Sequence, residues 1–170
     1  MIWAPNVEQA ERTTIEQKQL TGLQDTVKRV YDNVPYYRNK LDELGIKPED
    51  IKRLSDVQKL PFTVKDDLRA HYPFGLLAVP MKQVNRIHAS SGTTGSSTVV
   101  AYTKEDLENW SECIARLVTM AGGSDEDIAQ IAFGYGLFTG GFGLHYGLEK
   151  VGAAVVPMSS GNTKRQIQLL

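Results

Sequence analysis

Apolar residues recur at intervals of three and four through the first part of the chain. Leu20, Leu23, Val27, Val30, Tyr31 and Val34 fall on one face of a helix predicted over residues 8–34, with Gly22 inside the pattern. Val34-Pro35 ends that helix, because the residue before a proline is pushed out of the helical region. Residues 36–44 read as a shorter helix, and Gly45 stands where a left-handed terminating residue belongs. Beyond it, Ser55 is placed to cap a turn carrying Val57 and Leu60. Thr63 with Asp66 resembles a capping box opening a turn through Leu68. Residues 1–75 therefore read as a helical N-terminal region, punctuated by Pro35, Pro48, Pro61 and Pro73.

The spacing then changes. Residues 84–89 and 98–102 have the short β-branched character of strands. Thr103 and Asp106 open a helix whose predicted buried stripe is Leu107, Trp110, Ile114, Leu117, Val118 and Ala121, closed by Gly122-Gly123. Residues 128–133 and 153–157 read as buried strands, separated by a glycine-rich helix over 140–151, and Asn162 or Thr163 caps a last helix. Strand, helix and strand in that order imply parallel pairing with a right-handed crossover. Residues 76–170 are thus α/β. The apolar helix pattern is still running at Ile167, Leu169 and Leu170, so the expectation is the first part of a domain that continues further.

Charge narrows the possible partners. Lys and Arg total 19 against 20 Asp and Glu, for a net charge of -1. That leaves no basic surplus to neutralise a nucleic-acid backbone. No stretch approaches the roughly 20 apolar residues of a membrane-spanning helix, and the opening residues lack the basic and apolar blocks of a secretory signal. The expected setting is the cytoplasm. A single cysteine, Cys113, can form no internal disulfide; beside the predicted stripe it reads as a structural thiol. His71, His88 and His145 lack metal-ligand spacing, so no metal site is expected. His88 reads as strand support, while His145 either lines a site or packs. A nucleophile elbow of the Gly-x-Ser-x-Gly type is absent.

Residues 90–98 set two glycines among serines and threonines between two strands. Gly92 and Gly95 let the backbone turn tightly and approach a ligand, and successive amides in such a turn form a nest for anions. Ser91, Thr93, Thr94 and Ser96 add hydroxyl donors suited to phosphate oxygens. The segment fits neither the P-loop, which needs a Lys-Ser/Thr pair after its second glycine, nor the three-glycine dinucleotide fingerprint. Composition alone leaves a phosphate grip and a solvated hairpin connection both open.

Motif order decides between them. Ser91-Gly92-Thr93-Thr94-Gly95 between two strands resembles the phosphate loop of the acyl-adenylate-forming superfamily. Val34-Pro35-Tyr36-Tyr37-Arg38, Leu60-Pro61-Phe62-Thr63, Lys65-Asp66-Asp67-Leu68-Arg69 and Tyr72-Pro73-Phe74-Gly75 resemble the N-terminal region of phenylacetate–CoA ligases. So do residues 134–141 and His145-Tyr146-Gly147. The resemblance implies the start of an acyl-adenylate-forming N-terminal domain. It assigns Ser90, Ser91, Gly92, Thr93, Thr94, Gly95, Ser96 and Thr98 to ATP phosphates. It further implies activation of an aryl acid to an acyl-adenylate, transfer to coenzyme A, a need for Mg²⁺, and a homodimer. Catalytic groups, among them an acidic Mg²⁺ ligand and a late lysine, are expected beyond residue 170. Many members carry Lys or Asn and then Pro where this chain has Ser96 and Ser97, so charge neutralisation falls to Mg²⁺ and later residues.

Tyr135, Gly136, Phe138, Gly140 and Gly141 form the candidate aryl pocket, after a strand end where open α/β sheets bind ligands. The aromatics can flank a ring and the glycines leave room for it. Ordinary core packing with close helix contact is the competing reading. Two other functions stay open: an adenylate-forming enzyme with a different acceptor, and a non-catalytic dimerisation module.

Overall fold

The computed structural model describes residues 1–90 and 97–169. They divide into two compact units, Gln9–Gln83 and a second made of Met1–Glu8 with the residues from Val84 onward.

The unit Gln9–Gln83 is helical. The helix expected over 8–34 is interrupted: α1 (Pro5–Glu8), a single turn, belongs to the other unit, and α2 runs Arg12–Asn33. Glu8 reaches back to accept from the Ala4 amide at 2.7 Å, closing that turn on itself, and Glu11 at φ -54°, ψ 143° starts the next helix afresh. The α2 stripe points inward as its spacing predicts. Val34, fully buried and extended, hands the chain to α3 (Pro35–Glu43). Val27, Leu41 and Ile51 form the core, with Leu23, Tyr31, Ile46 and Leu60 packed against it. Gly45 takes φ 67°. The Ile46 amide then bonds Leu41 O at 2.9 Å and the Gly45 amide bonds Asp42 O at 3.0 Å, a complete Schellman ending.

Two capping expectations move by one residue. At the 3-10 turn Leu54–Lys59 the cap is Asp56, not Ser55: its buried carboxylate accepts from the Lys52 and Arg53 amides at 2.9 and 3.0 Å. Lys59 pairs with it at 3.1 Å, and a carboxylate holding an ion pair and two amides outcompetes a hydroxyl. Val57, carried on this turn, is exposed. Helix α4 (Lys65–Ala70) begins after Val64, whose amide donates to Asp67 at 2.8 Å. Thr63, the expected cap, instead shares a hydrogen bond with the Tyr37 hydroxyl at 3.1 Å.

In the second unit, β1 (Val84–Ala89) and β2 (Val99–Thr103) pair antiparallel, with a register irregularity between Val84 and Arg86. Thr103 caps α5 (Lys104–Met120) with Asp106 in a reciprocal box: Asp106 N to Thr103 Oγ1 3.1 Å, Thr103 N to Asp106 Oδ2 2.8 Å. Strands β3 (Ile128–Gln130) and β4 (Ala154–Val156) pair parallel around α6 (Gly140–Val151), as the strand–helix–strand order implies. Both strands are shorter than expected. Asn162 precedes α7 (Thr163–Gln168) in the left-handed region, without a side-chain cap bond.

The α5 stripe holds in part. Leu107, Trp110, Ile114 and Val118 are half-buried as expected, but Leu117 and Ala121 are exposed, whereas Ala115 and Thr119 are buried. Periodicity weighs bulky residues, but a helix held close to its neighbour buries small ones as readily. The close neighbour is α6: a Cβ at Gly143 would stand 2.6 Å from Trp110 Cζ2, and one at Gly147 would collide with the Ile114 side chain. Cys113, expected to be a structural thiol, is exposed on the same side as Leu117 and Met120.

Candidate active site

Ser90 and Thr98, the two ends of the segment expected to bind phosphate, are joined by three hydrogen bonds. The Ser90 amide donates to Thr98 O at 2.9 Å, the Thr98 amide to Ser90 Oγ at 2.9 Å, and Thr98 Oγ1 to the same Ser90 oxygen at 3.1 Å. Ser90 Oγ thus accepts twice and keeps its own proton to donate, while the Thr98 proton is committed to Ser90. The other loop residues expected on phosphate, Ser91, Gly92, Thr93, Thr94, Gly95 and Ser96, lie outside the described residues.

The aromatic segment begins where β3 ends. Phe133, Leu137 and Phe138 are each more than half exposed. Tyr135 is half-buried and lies edge-on to Phe142, ring centroids 5.3 Å apart. Its hydroxyl meets His145 Nδ1 at 3.2 Å, and His145 Nε2 meets Glu149 Oε1 at 3.1 Å. With Nε2–H donated to the carboxylate, Nδ1 is the acceptor and Tyr135 the donor. Burial first, and then the Glu149 charge, pushes the Tyr135 phenol above its ordinary value, which keeps that proton in place.

The two candidate glycines in α6 serve tight contacts. A Cβ at Gly141 would sit 2.9 Å from Gly134 O, and one at Gly140 would sit 2.8 Å from Phe138 Cε1. Their lack of side chains lets the Phe138 ring and the 134–135 backbone lie against the start of α6. A Cβ at Gly136 would meet nothing within 4 Å.

Neck and aromatic segment meet at one carbonyl. Leu137 O accepts from the Ala89 amide at 3.0 Å and faces His88 Nδ1 at 2.9 Å. Residues almost fifty positions apart are thereby joined at the base of the loop. Sequence patterns cannot show this contact, because a backbone acceptor carries no residue signature. They also pass over Arg86, whose guanidinium lies 5.0 Å from the Phe142 ring centroid and 4.7 Å from that of Tyr146. The four-residue spacing of Phe142 and Tyr146 on a glycine-rich helix is the one signal that could have flagged that face. Among the described residues, no group of three or more His, Cys, Asp or Glu is placed to hold a metal ion. None of the described helices is long and apolar enough to cross a membrane.

No family model matches the chain. It is 52% identical over 164 residues to the phenylacetate-coenzyme A ligase of Escherichia coli (strain K12), covering 96% of this chain and 38% of that protein. A ligase of the same description from Thermus thermophilus is 49% identical over 170 residues, 100% of this chain and 38% of the relative. The chain belongs to the phenylacetate–coenzyme A ligase family. Its residues correspond to the N-terminal part of those ligases and span about two-fifths of their length. Among solved structures, 2-hydroxyisobutyryl-CoA ligase in complex with 2-HIB-AMP and CoA is similar to it, with a TM-score of 0.87 and 28% identity. That match covers 97% of this chain and 36% of the other. An open conformation of the same ligase gives a TM-score of 0.86 and 27% identity.

Proposed function

We propose that the chain is the part of an AMP-forming aryl-acid:coenzyme A ligase that grips the ATP phosphates and flanks the ring of the acid. The observation that carries this reading is the meeting of the loop neck with the aromatic segment at Leu137, which sets a phosphate-binding candidate beside a ring-binding one. In the first half-reaction the carboxylate attacks the α-phosphorus of ATP, and pyrophosphate leaves. In the second, the thiol of coenzyme A displaces AMP from the acyl-adenylate.

Within this chain the work is positioning. The Ser90–Thr98 closure joins the two ends of the candidate phosphate segment, and the Ser90 proton remains available as a donor. Two anions must be brought together, so preorganised donors on the leaving phosphates contribute most of what this segment can offer. Mg²⁺ would add charge neutralisation when bound, and the family resemblance implies an acidic ligand for it beyond residue 170. Phe138 and Tyr135 flank the aryl ring, with the Tyr135 hydroxyl held by His145. ATP and coenzyme A are substrates of the cell interior, which fits a cytoplasmic enzyme. A homodimer belongs to the same reading, on family resemblance, and light scattering tests it.

Substrate choice gives the direct test. In the complete ligase, Phe138→Ala is expected to lower kcat/KM for phenylacetate about two- to tenfold more than for a medium-chain fatty acid, since aromatic contacts add about 0.5–1.5 kcal/mol beyond area burial. Because Phe138 is 58% exposed, the melting temperature should hold. Equal losses for both acids would remove Phe138 from the pocket.

A further inference from the structure

His88 is 2% exposed, so neither substrate nor bulk water reaches it. Tyr102, Trp110 and Phe142 surround its ring, centroids 5.7, 5.8 and 5.9 Å away, each roughly edge-to-face. The partner of Nδ1 is the Leu137 carbonyl at 2.9 Å, and a carbonyl only accepts, so the proton is on Nδ1. Nε2 then has no hydrogen-bond partner among the described residues. Burying an unpaired acceptor is unfavourable. An apolar side chain would fill the same aromatic cage without that penalty, so what histidine adds is the Nδ1 donor.

That donor does not act alone. The amide of the next residue, Ala89, reaches the same carbonyl at 3.0 Å. One position further, Ser90 begins the neck closure onto Thr98. In the other direction, Leu137 lies between Gly136 and Phe138 of the candidate aryl pocket. We propose that His88 is a positioning residue: by donating from Nδ1 to the carbonyl that Ala89 also binds, it locks the phosphate-loop neck to the aryl-pocket segment. The two substrate grips then hold one relative geometry. This inference rests on the ligase reading above, and adds that binding of ATP and of the aryl acid is coupled through His88. A lock that one substrate sets favours the geometry the other needs, and coupling is reciprocal, so each substrate tightens the other by the same factor.

The test uses the complete ligase and three substitutions. Asn places an amide donor near the Nδ1 position. Gln places its amide near Nε2 and lacks the Nδ1 donor, and Leu has no donor. His88→Leu and His88→Gln are expected to raise KM for both ATP and phenylacetate about tenfold, the scale of one lost buried hydrogen bond. The saturating-ATP enhancement of phenylacetate affinity should also fall. His88→Asn should keep both KM values within about threefold of wild type. If the Leu variant does not fold, the Asn–Gln pair carries the decision. Equal behaviour of those two, or unchanged KM values in a folded Leu or Gln variant, overturns the lock. A readout independent of turnover is the ¹⁵N signal of His88, expected for a protonated Nδ1 and a bare Nε2; the opposite tautomer overturns the proposal. A wild-type enzyme that adenylates no aryl acid removes the ligase reading instead, and the ¹⁵N result still judges the lock.

Discussion

The two units solve the same packing problem with opposite materials. In Gln9–Gln83 the core is branched aliphatic, Val27, Leu41 and Ile51, and its turns are fixed by carboxylates on backbone amides. From Val84 onward the packing centres on rings around the buried His88, and α6 comes close to α5 by having no side chains at Gly143 and Gly147. Aliphatic cores tolerate adjustment, whereas ring-and-glycine packing allows little. The lesson is that the closely packed region is also the one bearing the candidate site. A geometry that must hold two substrates in line gains from neighbours that cannot give way.

The largest test of that contrast is Gly147→Ala. The new methyl would collide with Ile114 Cγ2 and Cβ and stand 3.2 Å from the Ile114 carbonyl carbon, which cannot move without shifting α5. Overpacking of this kind costs about 1–3 kcal/mol. Melting, with amide exchange of α5 and α6, checks it; wild-type protection in both helices would show the approach to be looser than drawn.

These two regions also differed in how much the sequence disclosed. Helices α2 and α3, the Gly45 ending and the Thr103–Asp106 box were legible, because apolar spacing, proline sterics and capping chemistry act within a few residues. The Asp56 cap was missed because a carboxylate one turn from its ion partner Lys59 competes invisibly with the adjacent Ser55 hydroxyl. The α5 stripe was legible at Leu107, Trp110, Ile114 and Val118 but misjudged at Leu117 and Ala121, because periodicity does not score the small Ala115 and Thr119 that are buried there instead. In the site, the loop and the aromatic segment were each visible as motifs. Their junction was not, since it consists of a backbone carbonyl, an amide and a histidine read as strand support.

Asp56 offers a smaller, pH-dependent test of the helical unit. Two backbone amides, with Lys52 foremost, and the Lys59 ammonium lower its carboxyl from 3.8 to about 2. A folded value below the unfolded one means that its stabilisation is complete above about pH 4 and is lost as pH falls through 2. Asp56→Asn keeps an acceptor for the amides but removes the charge. The melting-temperature gap between wild type and Asp56→Asn should therefore be full at pH 6, shrink below pH 4 and vanish near pH 2. A gap that ignores pH would assign the stabilisation to hydrogen bonding alone.

The smallest effect should also have the opposite sign. Gly22 lies inside α2, exposed, and a Cβ added there meets nothing within 4 Å. Alanine at this position removes backbone freedom from the unfolded chain and requires nothing of the folded one, so Gly22→Ala is expected to stabilise by about 0.5–1 kcal/mol. Chemically it is the same substitution as Gly147→Ala. Only the surroundings differ, open solvent in one case and the Ile114 side chain in the other. Paired denaturant titrations with unchanged slopes isolate the comparison, since a changed slope would mean that the denatured state had moved instead. Two losses of similar size would mean that α2 is frayed or bent around Gly22, and the division into an accommodating helical unit and an unyielding α/β unit would fail at its simplest point.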